Sequence, residues 1–316
     1  MSLASPLSQR GALDAALLAL GESDGQLVVV DADYSRPTRA TPFSHAFPDR
    51  FFDVSVSDPA TVATSARLAS EGRTVVAWGL AELIVGQAFR ELRESICRPG
   101  ARVRFLADPI TALPDASGGS APMVEDLGLA RGLPGLTILA PADPSSAAGA
   151  LRAVANLPGP AYLRLGPESA PRVTDGTVEV GRARELRPGR DLTLIAIGSA
   201  VARALEAAEA LGRVGVDVRV LDLASVKPVD TKAILRAARE TGAILTLEPH
   251  SVLTGIGSVI AACTAEEYPV PVRRVGSPDL FPGGSAENPS DDPYGLALEH
   301  CLEEAYELLR ARGKVQ

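Results

Sequence analysis

TVVAWGLAELIVGQAFRELRESICRPGARVRFLA, residues 74–107, decides the fold class. Thr74 to Trp78 is a short run rich in β-branched and aromatic side chains, the composition of a strand packed on a pleated surface. Glu82 to Ile96 has the length and residue types of a helix, and Val103 to Ala107 reads as a second strand. Parallel neighbours need such a crossover connection, so strand, helix and strand in succession point to a parallel sheet.

The same alternation extends outward in both directions. Upstream, Arg10 to Leu20 repeats Leu13, Leu17, Leu18 and Leu20 at helical spacing. Leu27 to Val30 is a buried-strand run that ends at Asp31-Ala32-Asp33, and Phe51 to Val56 is extended. Ala60 to Ser70 carries little charge, which predicts a helix buried on several sides. Downstream, the Gly, Ser and Pro cluster from Pro114 to Pro122 is a loop. A short helix (Val124 to Arg131), a strand (Leu136 to Leu139), a helix capped by Asp143 or Ser145 (Pro144 to Ala155) and a strand (Ala161 to Leu165) follow.

From Pro167 to Arg190 the pattern lapses, and a linker with one hairpin is expected. A second set then begins. Strands are expected at Leu192 to Ile197, Asp217 to Leu221, Ile244 to Leu247 and Val272 to Val275. Helices are expected at Ala200 to Leu211, Thr231 to Arg239 and Gly257 to Ala265, with a terminal amphipathic helix from Pro293 to Arg312. The expectation is α/β with two doubly wound domains: residues 1–170, a linker 171–188, and residues 189–316.

Bulk properties narrow the function classes. At 316 residues, two domains are expected. Hydrophobic content is 46% but aromatic content only 4%, so the core must be built from Ala, Val, Leu and Ile. A formal net charge of −8 argues against nucleic acid or an anionic membrane surface as partner. No apolar stretch approaches the ~20 residues that span a bilayer, and no signal peptide is evident. Cys97, Cys263 and Cys301 have no metal-ligand spacing and fit a reducing cytoplasm. Neither Gly-x-Gly-x-x-Gly nor a phosphate-loop lysine motif is present, and Gly255-Ile256-Gly257 is too short a signal for a nucleotide site.

Several segments in order carry a resemblance. They are Val29-Val30-Asp31-Ala32-Asp33, Phe47-Pro48-Asp49-Arg50-Phe51-Phe52, Glu125-Asp126-Leu127, Pro141-Ala142-Asp143-Pro144 and Gly159-Pro160-Ala161-Tyr162-Leu163-Arg164-Leu165-Gly166. Val226-Lys227-Pro228-Val229-Asp230, Glu248-Pro249-His250-Ser251 and Gly255-Ile256-Gly257-Ser258 continue the series. Together they resemble the C-terminal section of transketolase, a thiamin-diphosphate enzyme. That resemblance implies a pyrimidine-binding domain followed by the transketolase C-terminal domain. The family's diphosphate domain carries a Gly-Asp-Gly motif, which occurs nowhere in this sequence. Thiamin diphosphate and Mg²⁺ would therefore be shared with a partner, an N-terminal transketolase-like subunit carrying the diphosphate-binding domain. Self-association of this chain within a heterotetramer is the expected assembly. The reaction implied is transfer of a two-carbon ketol unit from a ketose to an acceptor.

The resemblance also assigns site residues, several of them altered. Where the family has a catalytic glutamate in Gly-Ile-Ala-Glu-Gln, this chain has Ser55-Val56-Ser57-Asp58-Pro59. Asp58 keeps the carboxylate but is one methylene shorter; it also suits the N-cap of a helix beginning at Pro59. The family's Phe-Ala-x-Phe stacking segment reads Leu80-Ala81-Glu82-Leu83, which leaves an apolar wall with a carboxylate, Glu82, beside it. The loop that carries substrate histidines in the family has none here; Asp115, Ser117 and Ser120 are its polar side chains. Arg36 and Arg39 fall near a family phosphate contact. His250 is expected to be a satisfied interface histidine, and His45 and His300 surface residues. Competing expectations are a catalytically degenerate structural or regulatory subunit, and the β subunit of a 2-oxo-acid dehydrogenase.

Overall fold

The computed structural model describes residues 7–31, 41–54, 58–109, 123–280, 292 and 294–314. In chain order the strands are β1 (Leu7–Ser8), β2 (Leu27–Asp31), β3 (Phe51–Asp53), β4 (Thr74–Leu80), β5 (Val103–Asp108), β6 (Thr137–Leu139) and β7 (Ala161–Arg164). There follow β8 (Ser169–Ala170), β9 (Arg184–Arg187), β10 (Leu192–Ala196), β11 (Val218–Asp222), β12 (Ser225–Lys227), β13 (Ile244–Ser251) and β14 (Val272–Ser277).

Two doubly wound sheets form. The first has the order β12-β6-β7-β5-β4-β2-β3. It is parallel throughout except for β12, which runs antiparallel to β6. The second has the order β14-β13-β10-β11-β9, parallel except for β9. The strands read as near-continuous Val, Leu and Ile runs because both faces of each sheet are covered. Val29, Val76, Leu106 and Leu163 point to one face of the first sheet, against Leu13 and Leu17 of helix Gln9–Ser23 and Leu151 and Val154 of helix Pro144–Ala155. Val28, Val30, Val75 and Phe105 point to the other, against Val62, Ile84 and Leu127. That second cluster runs on without a break into Ile195, Leu221, Ile234 and Ile260, so the two sheets share one core.

Caps fix the helix ends. Asp143, not Ser145, caps helix Pro144–Ala155, with Ser146 completing a capping box. Asp230 caps helix Thr231–Thr241, which ends at Gly242 with φ +68°, a left-handed conformation that favours glycine. Arg104, wholly buried on β5, closes the far end of helix Pro144–Ala155. Its guanidinium donates to the carbonyls of Val154 (2.8 Å), Ala155 (3.1 Å), Gly159 (3.0 Å) and Leu157.

The structure differs from the sequence reading at several points. Helix Asp58–Ser70 is not buried on several sides: Ala63, Arg67 and Ser70 are exposed along one stripe. No hairpin forms among the described residues 167–190; β8 pairs with β1 and β9 with β11. The segment Glu82–Cys97 is helical but not a regular α-helix. Two π-helical stretches, Glu82–Gln87 and Leu92–Cys97, flank a short α turn. Leu83, Ile84 and Val85 are all buried within the first of them. The terminal helix spans Leu298–Ala311 and starts later than expected, because Asp292 accepts the N–H groups of Leu296 (2.7 Å) and Ala297 and holds a turn before it.

Candidate cofactor-binding edge

In an open parallel sheet, ligand crevices lie outside the carboxyl ends of strands where the winding reverses. In the first sheet β3 lies on one side of β2 and β4 on the other, so the reversal falls between the ends of β2 and β4. Those ends are Asp31 and Leu80. The second sheet reverses between β10 and β13. There the first domain makes contact: Gly198 N–H donates to Ala140 O at 3.1 Å.

The switch-point edge of the first sheet gathers several of the residues expected from sequence. Leu80 is the last residue of β4 and Leu83 lies in the following helical turn; they are 7% and 6% exposed. Glu82 between them is half-buried. Asp58 is the first residue of helix Asp58–Ser70, which follows β3 and starts at the same sheet edge. Arg36, Arg39, Asp115, Ser117 and Ser120 lie outside the described residues. The described residues flanking their segments, Asp31 and Pro109, both stand at this edge.

Beside the crevice lies a buried polar cluster. Arg164, at the end of β7, donates through Nε to both oxygens of Asp126 (2.9 and 3.0 Å), and through Nη2 to Met123 O (3.2 Å). Tyr162 Oη donates to Asp126 Oδ2 at 2.9 Å. From the second domain, His250 Nε2 accepts the Leu127 N–H at 3.0 Å, while Nδ1 donates to Ser251 O at 3.0 Å. Ser251 N–H donates to Val124 O at 2.7 Å. Met123 N–H in turn donates to Pro109 O at 2.8 Å. The cluster thus pins Pro109 and Met123 together and ties them to the second domain. Burial, more than any charge, pushes His250 down to about 4, so the imidazole is neutral at pH 7, as its accepting Nε2 requires. Burial and then Asp126 hold the Tyr162 hydroxyl well above its usual range. Burial, the largest single influence, lowers Arg164, but Asp126 together with Tyr294 and Tyr162 outweighs it and keeps the guanidinium charged. Of this cluster, the sequence pattern points to His250 alone, as a satisfied interface residue. His45 and His300 are exposed.

Gly255-Ile256-Gly257 also finds its explanation. It opens helix Ile256–Glu267, whose N-terminus is a ready anion site. The site is filled internally: Glu248 Oε1 accepts the Gly257 N–H at 3.1 Å. A Cβ at position 257 would stand 2.7 Å from that oxygen and 2.6 Å from Thr246 Oγ1, so only glycine lets the helix close on the carboxylate. Burial pushes Glu248 up to about 7, above its usual carboxylate range. The native state therefore binds more protons than the unfolded chain between about pH 4.5 and 7, and this group's contribution to stability falls as pH rises through that window. In Glu248→Gln the decline is expected to flatten. Thermal melts from pH 5 to 8 should show the variant gaining on the parent as pH rises; parallel curves would refute the assignment.

Among the described residues no group of three or more His, Cys, Asp or Glu is placed to hold a metal, and no helix is long and apolar enough to cross a membrane. Leu80 and Leu83 make this stretch of the edge apolar. Nothing among the described residues fits a metal-bound diphosphate.

Comparison with known proteins identifies both domains. Residues 5–171 match the transketolase pyrimidine binding domain, and residues 181–301 match the transketolase C-terminal domain. The chain is 33% identical over 296 residues to the 6-deoxy-6-sulfo-D-fructose transketolase subunit of Clostridium sp. (strain MSTE9), covering 92% of this chain and 91% of that one. It is 32% identical to an apulose-4-phosphate transketolase subunit of Phocaeicola vulgatus, covering 93% and 95% respectively. A solved split-gene transketolase, described as an inactive β4 tetramer, superposes with a TM-score of 0.86 at 36% identity over 96% of this chain and 98% of that one. The transketolase of Leishmania mexicana shares the fold, with a TM-score of 0.76 at 21% identity, and this chain spans 46% of it.

Proposed function

Because the chain belongs to the transketolase family, as a pyrimidine-binding domain followed by a C-terminal domain, we propose that it is the cofactor-ring half of a two-chain ketol transferase. The partner supplies the diphosphate-binding domain and the Mg²⁺ ligands. The observation that carries this reading is the convergence of Leu80, Leu83, Glu82 and the helix start at Asp58 on the switch-point edge of the first sheet, in a chain that has no Gly-Asp-Gly motif. The units are taken as 1–170 and 189–316, joined by 171–188, and the assembly as a heterotetramer in which this chain also meets its own copy. The β4 description of the solved relative supports self-association. The free thiols Cys97, Cys263 and Cys301 suit a reducing cytoplasm.

Thiamin diphosphate, when bound, supplies the thiazolium carbon that carries the two-carbon unit. This chain's part is to seat and protonate the pyrimidine ring. Leu80 and Leu83 give the ring an apolar face and exclude water, and Asp58 holds a proton against a ring nitrogen. Glu82 adds a second carboxylate beside the ring. Arg36, Arg39, Asp115, Ser117 and Ser120 are the groups assigned to the sugar and its charged substituent. The relatives named for sulfofructose and apulose-4-phosphate support an anionic ketose as donor. They favour the transferase over the degenerate-subunit and oxo-acid dehydrogenase readings.

The test is reconstitution with a partner carrying Gly-Asp-Gly. The pair is expected to bind thiamin diphosphate with Mg²⁺, and this chain by itself to turn over no ketose. Asp58→Ala in the pair should lower kcat by about 10²–10⁴-fold, the usual contribution of a placed proton carrier. Turnover by this chain without a partner would overturn the reading, and an unchanged kcat in Asp58→Ala would remove Asp58 from it.

A further inference from the structure

The turn Glu82–Gln87 carries Leu83 of the apolar wall, with Glu82 beside it. Its backbone is π-helical: the Ala88 N–H donates five residues back, to Leu83 O at 3.0 Å. Such turns are rare inside helices and are frequent at functional sites. A single turn has little stability of its own, so its shape depends on what packs against it.

Helix Asp126–Arg131 and the residues leading into it pack against that turn. Met123 and Leu127 share one buried cluster with Ala81, Ile84, Val85 and Ala88. A Cβ at position 86 would stand 3.8 Å from Met123 Cε and 3.8 Å from Glu82 Cγ, so Met123 lies directly on the turn. A helix this short cannot hold itself in place. The second domain holds its entry. His250 Nε2 accepts the Leu127 N–H at 3.0 Å, and the Ser251 N–H donates to Val124 O at 2.7 Å. The imidazole is wholly buried, and Nδ1 is spent on Ser251 O at 3.0 Å. Asp126 Oδ1 stands 3.7 Å from Nε2. A carboxylate in place of the imidazole would meet that charge at close range, so position 250 calls for a neutral acceptor.

We infer that His250, a residue of the second domain, is a positioning residue for the cofactor wall: by holding helix Asp126–Arg131 at Leu127, it fixes the turn that carries Leu83 and Glu82. It acts through the helix and not by contact with the cofactor. The inference rests on the proposed function only in taking this wall as the seat of the cofactor ring. It gives the second domain a part in cofactor binding in addition to assembly.

Two measurements test it. Hydrogen exchange of a peptide containing Ala88 is read in the full chain by itself. The thiamin diphosphate Kd is read calorimetrically in the pair with a Gly-Asp-Gly partner. In His250→Leu, exchange at Ala88 is expected to quicken. Kd should rise by about three- to tenfold, the scale of one hydrogen bond, with kcat at saturating cofactor unchanged. His250→Gln offers an amide oxygen to the Leu127 N–H and should restore most of both. Met123→Ala keeps the His250 bond but removes the side chain that lies on the turn. It should behave as His250→Leu does, and it covers the case in which that variant does not fold. Asp230→Ala removes the cap of helix Thr231–Thr241 and leaves Leu127 untouched. It should lower the Tm yet keep exchange at Ala88 and Kd at their parental values. Parental exchange at Ala88 in every folded variant of His250→Leu and Met123→Ala overturns the inference. So does a glutamine no better than leucine, or an Asp230→Ala that matches His250→Leu. A parent pair that binds no thiamin diphosphate would overturn the proposed function instead, and the exchange result would still decide the role of His250.

Discussion

Arg164→Met is expected to lower unfolding stability by about 3–5 kcal/mol, the range for stripping one partner from a buried ion pair. Asp126 is fully buried and would keep only the Tyr162 hydroxyl. Its charge would then be desolvated without a counter-charge. Removing both charges, as in Arg164→Met with Asp126→Leu, is expected to cost much less than the single change, because no orphaned ion remains. Denaturant midpoints for the two single variants and the double variant measure this directly. Equal losses for single and double variants would show that the pair is held for reasons other than charge. The single variant also frees Met123 O, and with it the clamp between Met123 and Pro109. In the reconstituted enzyme, substrate KM should therefore rise in any Arg164 variant that still folds.

The second large effect is expected at Arg104. A methionine there fills much of the same volume but leaves the carbonyls of Val154, Ala155, Leu157 and Gly159 without their donor. The last carbonyls of a helix have no intrahelical partner, and burying them unpaired costs about 1–3 kcal/mol per group. These losses do not add fully, so roughly 4 kcal/mol is expected for Arg104→Met. Arg104→Lys should recover only part of it, since an ammonium on one stem cannot reach four carbonyls as a fork does. Full recovery by lysine, read from the chemical-denaturation midpoint, would refute the fork argument. Burial draws Arg104 down to about 10, so it remains charged through the neutral range.

Much of the architecture was legible from local pattern. Runs such as Val28-Val29-Val30 and Val75-Val76 can lie only between two covered faces, and Asp143-Pro144 and Asp230-Thr231 announce helix starts. Leu80 and Leu83 were picked out as an apolar wall by the family resemblance, not by local pattern. The hidden parts are those in which chemistry depends on residues far apart in the chain. Arg164 meets Asp126 across 38 positions, and His250 meets Leu127 across 123. The available signal was an arginine inside the strand run Ala161 to Leu165, a charge where the pattern asks for burial. The π-helical turns were hidden because a helix-length segment with three adjacent apolar residues reads as ordinary helix.

One short strand has a wider consequence. β12 comes from the downstream half of the chain yet completes the upstream sheet, with Ser225 opposite Leu139 and Lys227 opposite Ile138. Lys227 Nζ reaches further, to Arg131 O at 3.0 Å and to Leu133 O. The halves are therefore not interchangeable cassettes. Severing the chain after residue 170 strips the outer rim of β6 and exposes a row of unpaired amides and carbonyls, the template on which strands of separate molecules join. Recombination that swaps the downstream unit must carry a matching Ser225–Lys227 segment with it, or the upstream unit becomes sticky.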